Sequence, residues 1–417
     1  MTTEFGFYAH IPYCRALCHY CDFAKTAHFG EREAGLYWAQ MKEHARLWLA
    51  LAERSGLVKR RFGDVPEPRF SSVFFGGGTP SLFTEEYAEF MELLLPWVQV
   101  GAEVSLEANP DDISDRALKV WRGLGFTRLS LGVQTFHERG LGLMKRIHDV
   151  RVAETAIAVA LPVFPNLNID LIYGWPTQTK NEFKQDLERA IQLKIPHLSV
   201  YTLTFESRTP LGRAAHRGAL TPHSDDELAE FYELACEVLK GAGYDHEEVS
   251  NWSLPGASCR HNWLYWDDAP FIGVGPGAHG YLPSPDAQGI RYAYPRSDRS
   301  FLKRQLNPLF ETLKSINTDD LTEVFGVDVE KDRGLDVWLI EYVGSSLRTK
   351  LGTDLSRIEA RLGRSFCPSP ALKEALEQGL CAVTRMGDGS HKLRFTPAEW
   401  FREVAWGVEV LRSFPDP

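Results

Sequence analysis

Short apolar runs rich in β-branched and aromatic residues recur through the first half of the chain, at 5–11, 71–75, 103–107, 128–133, 168–172 and 198–203. They do not alternate apolar with polar positions, so each reads as a parallel strand buried on both faces. Between them, apolar residues return at helical spacing over 31–55, 84–96, 114–123, 150–160 and 179–193. Thr84 before Glu85 and Glu86, and Ser114 before Asp115, have the form of helix starts, a hydroxyl cap followed by acids. Six such strand–helix units predict an α/β fold, a parallel sheet curled into a partial (β/α)6 barrel. The barrel is two units short of a full eight-fold one and therefore open on one side.

After about Thr209 the pattern changes. Residues 225–241 read as one amphipathic helix, and 244–281 are rich in aromatics and glycine with little helical period. Pro, Asp, Ser and Arg dominate 283–299, which reads as a loop. Helical segments follow from Phe301, then a hairpin of 380–384 with 391–395 joined through Gly387, Asp388 and Gly389. The predicted organisation is a barrel core over 1–215, an accessory segment over 216–300, and a small helical, winged-helix-like C-terminal domain over 301–417. A length of 417 residues suits two or three domains.

Composition narrows the class. Hydrophobic residues make up 44% and charged residues 24%, the balance of an ordinary folded globular protein. A net charge of −10 argues against a nucleic-acid binder, and the short basic run at 59–61 reads as a solvated helix end. The N-terminus lacks the basic and apolar regions of a secretory leader, and no uncharged apolar run reaches membrane-spanning length. Of seven cysteines, three are clustered and four (Cys236, Cys259, Cys367, Cys381) are scattered. That usage points to a reduced, cytoplasmic protein.

The clustered three carry the chemistry. Cys14, Cys18 and Cys21 follow the first predicted strand at Cys-x3-Cys-x2-Cys spacing. Three thiolates from one loop hold three irons of a 4Fe–4S cube and leave the fourth open to a ligand. The competing reading is structural zinc, which needs a fourth ligand from His19 or His10; a redox Cys-x2-Cys pair would use only two of the three thiols. Gly76, Gly77 and Gly78, followed by Thr79, Pro80 and Ser81, end the second strand. Such a run is either a tight turn or a place where backbone N–H groups approach a ligand. Glu107, Gln134 and Asp170 lie at the ends or on the run of the third, fourth and fifth strands, and Arg146 lies just beyond the fourth. Each alone suits a satisfied core position. Together on one rim they suit a zwitterionic, hydroxyl-bearing ligand.

These motifs, over residues 5 to about 282, resemble the oxygen-independent coproporphyrinogen III oxidase-like branch of radical S-adenosylmethionine (SAM) proteins. The resemblance implies a 4Fe–4S cluster on Cys14, Cys18 and Cys21 with SAM at its open iron. Gly77, Gly78 and Thr79 would meet the methionine part of SAM, and Tyr8, Tyr20, Glu107, Gln134, Arg146 and Asp170 complete the cofactor-binding set. Phe23 stands where the true oxidases continue with a fourth cysteine. The stretch from His261 through Asn262, Trp263, Leu264 and Tyr265 to Trp266 matches the HNxxYW motif of the heme-chaperone members, followed by a similar glycine-rich run at 271–278. The expected function is a heme chaperone that binds cluster, SAM and heme and delivers heme to an unidentified acceptor protein. No catalytic residue is assigned, and the expected electron donor is a flavodoxin or ferredoxin.

His261 is the expected heme ligand, with the motif's aromatics against the porphyrin. The competing reading has His261 and Asn262 holding a loop while the aromatics pack in a core, and Cys259 is the thiolate alternative. The rival function is an enzyme acting on a tetrapyrrole. One form is a coproporphyrinogen III dehydrogenase, against which Phe23 argues. The other is a methyltransferase or heme-degrading enzyme using two SAM molecules, whose second-SAM positions match Tyr20, Gly78, Thr79, Gln134, Arg146 and Asp170.

Overall fold

A computed structural model describes residues 4–55, 69–282, 289–304, 318–330 and 334–415. The basic run at 59–61 and residues 283–288 of the predicted loop lie outside the described residues.

Six strands, β1 (Gly6–Ile11), β2 (Phe70–Gly77), β3 (Val98–Ala108), β4 (Arg128–Gln134), β5 (Asn166–Tyr173) and β6 (His197–Thr202), lie side by side in chain order, all parallel. Every residue of β4 is buried, as are all but one of β1 and of β2, which is what unalternating apolar runs require. Helices α1 (Glu31–Ser55), α2 (Tyr87–Leu94), α3 (Asp115–Gly123), α4 (Val150–Ala160) and α5 (Lys180–Gln192) connect them. Trp38 and Trp48 of α1, Phe90 of α2 and Leu118 of α3 share one apolar core with Phe7, Val73 and Leu106 of the strands.

The helix starts follow side-chain chemistry. Ser114 accepts the Ala117 N–H, and Thr179 and Glu182 form a reciprocal capping box. Each cap contributes about 1 kcal/mol. The expected cap at Thr84 does not form. Its N–H donates to Glu86, α2 begins at Tyr87, and Pro96 turns the chain directly into β3.

The barrel stays open because β1 and β6 take different partners. Beyond β6 the sheet continues antiparallel through β8 (Asn251–Ser253) to β7 (Asp245–Glu248). On the other edge β1 pairs in parallel with β9 (Phe271–Val274), followed by antiparallel β10 (His279–Leu282), β11 (Ile290–Ala293) and β12 (Asp328–Val329). Among the described residues the result is one sheet of twelve strands. The stretch at 244–281, without period in the sequence, thus supplies strands to both edges, and part of the predicted loop at 283–299 is β11. These strands run to only two to four residues and include glycines, too short for alternation to show.

The main core runs through Phe325 and Val327, and a second core gathers Trp338, Tyr342, Ile358, Leu372, Leu393 and Trp400. In that second unit the predicted hairpin is present as β14 (Cys381–Arg385) and β15 (His391–Phe395), with β13 (Thr353–Asp354) beside β15. Helices Leu335–Ser346, Leu355–Leu362, Pro370–Glu377 and Glu403–Arg412 surround it. No helix among the described residues is long and apolar enough to cross a membrane.

Candidate cofactor site at the strand ends

The loop after β1 is closed at its neck and tied down at its tip. Cys14 N–H donates to the Thr26 carbonyl (2.9 Å), and Thr26 N–H donates to that of Pro12 (2.7 Å). At the tip, His19 N–H donates to Met144 O (3.1 Å) and its carbonyl accepts from Leu211 N–H (3.0 Å). Tyr20 packs on a small apolar cluster of Met144, Ile172, Trp175, Leu203 and Leu211. Held in this way, Cys14, Cys18 and Cys21 all face one cavity of about 700 Å³.

Among the described residues no three metal-ligating side chains converge on a point that would grip a single ion. His10 is also unavailable as a zinc ligand. Its Nε2 donates to Ala24 O (2.7 Å), its Nδ1 accepts from the Tyr8 hydroxyl (3.0 Å), and burial lowers it to about 4.

The glycine run supplies the adjoining wall. Gly78 N–H donates to Ile11 O (2.7 Å), and a Cβ there would stand 2.7 Å from Tyr13 O and 3.0 Å from Cys14 Sγ. Gly77 has φ +118°, and a Cβ on it would meet the His10 ring at 2.7 Å. Gly78 is therefore needed where two backbones touch, and Gly77 for its left-handed backbone against the His10 ring. Gly78→Ala is expected to displace Cys14 at a cost of about 1–3 kcal/mol. Reconstituted protein should then lose iron on desalting, while its circular dichroism stays native.

The polar rim comes from the next three strands. Glu107 accepts the Gly77 N–H (2.9 Å), and burial, reinforced by the Asp170 charge, raises it to about 8. Asp170 accepts from Asn168 Nδ2 (2.8 Å) and Ser130 Oγ (3.3 Å), and burial raises it too. Gln134, the buried last residue of β4, has φ +73°, just past a register shift against β5. Such a backbone costs about 1–3 kcal/mol and is typical of ligand sites. The Arg146 guanidinium donates to Asn109 Oδ1 (2.6 Å) and Gly132 O (2.9 Å) and sits 3.3 Å from Cys18 Sγ. Thr79 is buried and accepts from Asn109 Nδ2 (3.3 Å).

Tyr20, Gly77, Gly78, Thr79, Glu107, Gln134, Arg146 and Asp170 thus share the thiol-lined cavity. The residues present fit the groups the sequence implies. Three thiols on one loop suit the cluster, and two carboxyl groups on the same cavity suit the ammonium and hydroxyl groups of SAM as hydrogen-bond donors.

Tyr8 and His261 are not on that wall. Tyr8 stands behind it, its ring near Phe74 (6.2 Å) and His261 (6.4 Å). His261 is 1% exposed, with Nδ1 at 2.8 Å from Ser72 Oγ and Nε2 at 2.9 Å from the Tyr265 hydroxyl. Its ring stacks on Phe74 at 5.2 Å. Both ring nitrogens are engaged within the fold, and the expected heme ligation would require one of these bonds to break. Trp263 donates to Glu247 (2.8 Å), and Trp266 lies under the Arg348 guanidinium (5.3 Å). The motif joins the sheet to the C-terminal unit. His261→Ala should destabilise the fold by about 2–4 kcal/mol, read as a lower urea midpoint, and leave the heme spectrum of the folded protein unchanged.

Several wall residues were not singled out by sequence. Tyr201, 42% exposed, lies near the end of β6, where the strand-end rule that marks Glu107 would also have found it. Arg296 reaches the cavity from the predicted loop and binds Asp22 beside Cys21, a placement with no local signal. Asn262 and Cys259, and not His261, represent the HNxxYW region on the wall.

Comparison with known proteins identifies the family. Residues 8–190 match the Radical SAM superfamily. The chain is 34% identical over 335 residues to heme chaperone HemW of Lactococcus lactis subsp. lactis strain IL1403, covering 79% of this chain and 80% of that protein. It is 37% identical over 284 residues to HemW of Mycobacterium tuberculosis H37Rv (67% and 70%) and 34% identical over 303 residues to that of Escherichia coli K12 (71% and 75%). Among solved structures it resembles E. coli coproporphyrinogen III oxidase (HemN), a radical SAM enzyme. The TM-score is 0.71 at 20% identity, over 98% of this chain and 91% of that one, a likeness of fold. With the cavity, the motifs and these relatives in agreement, the chain belongs to the HemW family of the radical SAM superfamily.

Proposed function

We propose that the chain is a heme chaperone that holds a 4Fe–4S cluster on Cys14, Cys18 and Cys21, binds SAM in the same cavity, and takes up heme for delivery to an acceptor protein. The observation that carries this reading is the single cavity shared by the three thiols and the polar ends of four successive strands. Held by Cys14, Cys18 and Cys21, the cluster would supply one-electron reduction to SAM. The chain's own residues do the rest. Arg146 offsets the negative charge of the thiolates, Gly77 and Gly78 let the ligand lie against backbone, and Glu107 and Asp170 accept hydrogen bonds from its ammonium and hydroxyl groups. Buried strands shield it from bulk water.

Phe23, 62% exposed on the cavity wall, puts an apolar ring where the oxidases place a further thiol. That favours the chaperone over a coproporphyrinogen III dehydrogenase. Segment 216–300 adds strands to both edges of the 1–215 core, with β12 from the 301–417 part as the outermost strand on the β9 side. A cytoplasmic setting and a flavodoxin or ferredoxin electron donor belong to the same reading. The test is an anaerobic assay of the reconstituted chain with reductant, SAM and coproporphyrinogen III. No protoporphyrinogen should form; its formation in repeated turnovers would replace the chaperone with the dehydrogenase.

A further inference from the structure

The net charge of −10 is not spread evenly over the chain. Residues 207–220, which follow β6 and include the short helix Pro210–His216, carry Arg208, Arg213 and Arg217 and no acid. This basic stretch lies against the cysteine loop, because Leu211 N–H donates to His19 O (3.0 Å). On the other side of the tip His19 N–H donates to Met144 O (3.1 Å), which brings Lys145 alongside. Cations therefore flank the stretch from Cys18 to Cys21 from two sides.

The acids close by do not cancel this charge. Asp22 is shared by Arg208 (2.6 Å) and Arg296 (3.6 Å), and Asp112 is held by Arg15 (2.8 Å). The Arg213 guanidinium donates to a neutral group, the Arg208 carbonyl. Lys145 and Arg217 are exposed and form no ion pair among the described residues. Glu206 is the one acid of 203–220. Apolar side chains are exposed beside these charges. Leu17, next to Cys18 in the chain, is 44% exposed, and Ile147, two residues from Lys145, is 50% exposed. Apolar ground rimmed by charge is the anatomy of a protein-binding patch.

We propose that the tip of the cysteine loop docks a small acidic protein that carries one electron, and that the electron enters the cluster there. This rests on the reading that Cys14, Cys18 and Cys21 hold the cluster. In the step the carrier loses one electron and the cluster gains it, with no bond made or broken and no proton moved. Cys18 and Cys21 are partly exposed and Cys14 is buried, so the outer side of the cluster loop is the side a carrier can approach. Opposite charge speeds the encounter and orients the carrier, and salt screens both effects.

The test mixes the full chain, anaerobically reconstituted and SAM-loaded, with photoreduced flavodoxin and follows bleaching of the cluster by stopped flow. The triple variant Lys145→Glu, Arg213→Glu, Arg217→Glu should be reduced about tenfold or more slowly at low salt, with the gap closing as salt rises. Its iron content should match wild type, and deazariboflavin, a neutral photoreductant, should reduce both alike. Equal rates with flavodoxin at low salt would overturn the docking surface and leave the cluster reading standing. So would a wild-type cluster that deazariboflavin reduces and flavodoxin does not. Wild-type protein that takes up no iron and sulfide would overturn the parent reading itself.

Discussion

Replacing any one of Cys14, Cys18 or Cys21 by alanine is expected to leave anaerobically reconstituted protein without its iron–sulfur absorbance and with little iron or sulfide. Two thiolates cannot hold a cube that three were placed to grip. No substitute stands ready. Cys259, the other thiol on the cavity wall among the described residues, is buried with its Sγ 3.5 Å from Glu103. Burial and the Glu103 carboxylate raise it to about 12, so it stays a thiol. Cys367 is exposed and remote in sequence, and Cys367→Ala should keep its full iron content. Wild-type iron in the three cluster variants would mean that the loop is structural.

The second large effect concerns Glu107. Glu107→Ala should weaken SAM binding by about ten- to a hundred-fold in calorimetry, the usual loss of about 1.5–3 kcal/mol for a charge-assisted hydrogen bond, with iron retained. Unchanged affinity would make the carboxyl structural.

A pH signature accompanies it. Glu107 is raised to about 8 in the folded protein and lies near the ordinary glutamate value when unfolded. Between those values the unfolded chain has released its proton while the folded chain still holds it. Stability of the SAM-free protein should therefore fall as pH rises through this window, by at most about 1.4 kcal/mol per pH unit from this group. In urea midpoints taken across the window, Glu107→Gln should flatten that part of the slope. A slope identical to wild type would show that the carboxyl is already ionised in the cavity.

The sequence reveals most where one physical cause dominates. Strands buried on both faces leave apolar runs, so β1 and β4 are found within a residue or two of their ends, and the strand-end rule then locates Gly77 and Glu107. Longer features hide at irregularities. The first half of β3 escaped because Gly101, at φ +77°, breaks its pattern beside a register shift. The edge strands β7 to β12 escaped because their pairing is decided by neighbours distant in the chain. His261 shows the limit most clearly. Its motif is legible, but its direction is fixed by Ser72 and Phe74 on β2, and nothing near 261 in sequence announces them.

The most direct test of the chaperone assignment is a heme titration of the anaerobically reconstituted, SAM-loaded chain, followed through desalting. The account predicts a Soret change that saturates at an equimolar ratio, with heme and cluster iron leaving the column together with the protein. A chain that carries its full cluster and binds SAM, yet shows no saturable Soret change and elutes free of heme, would contradict it.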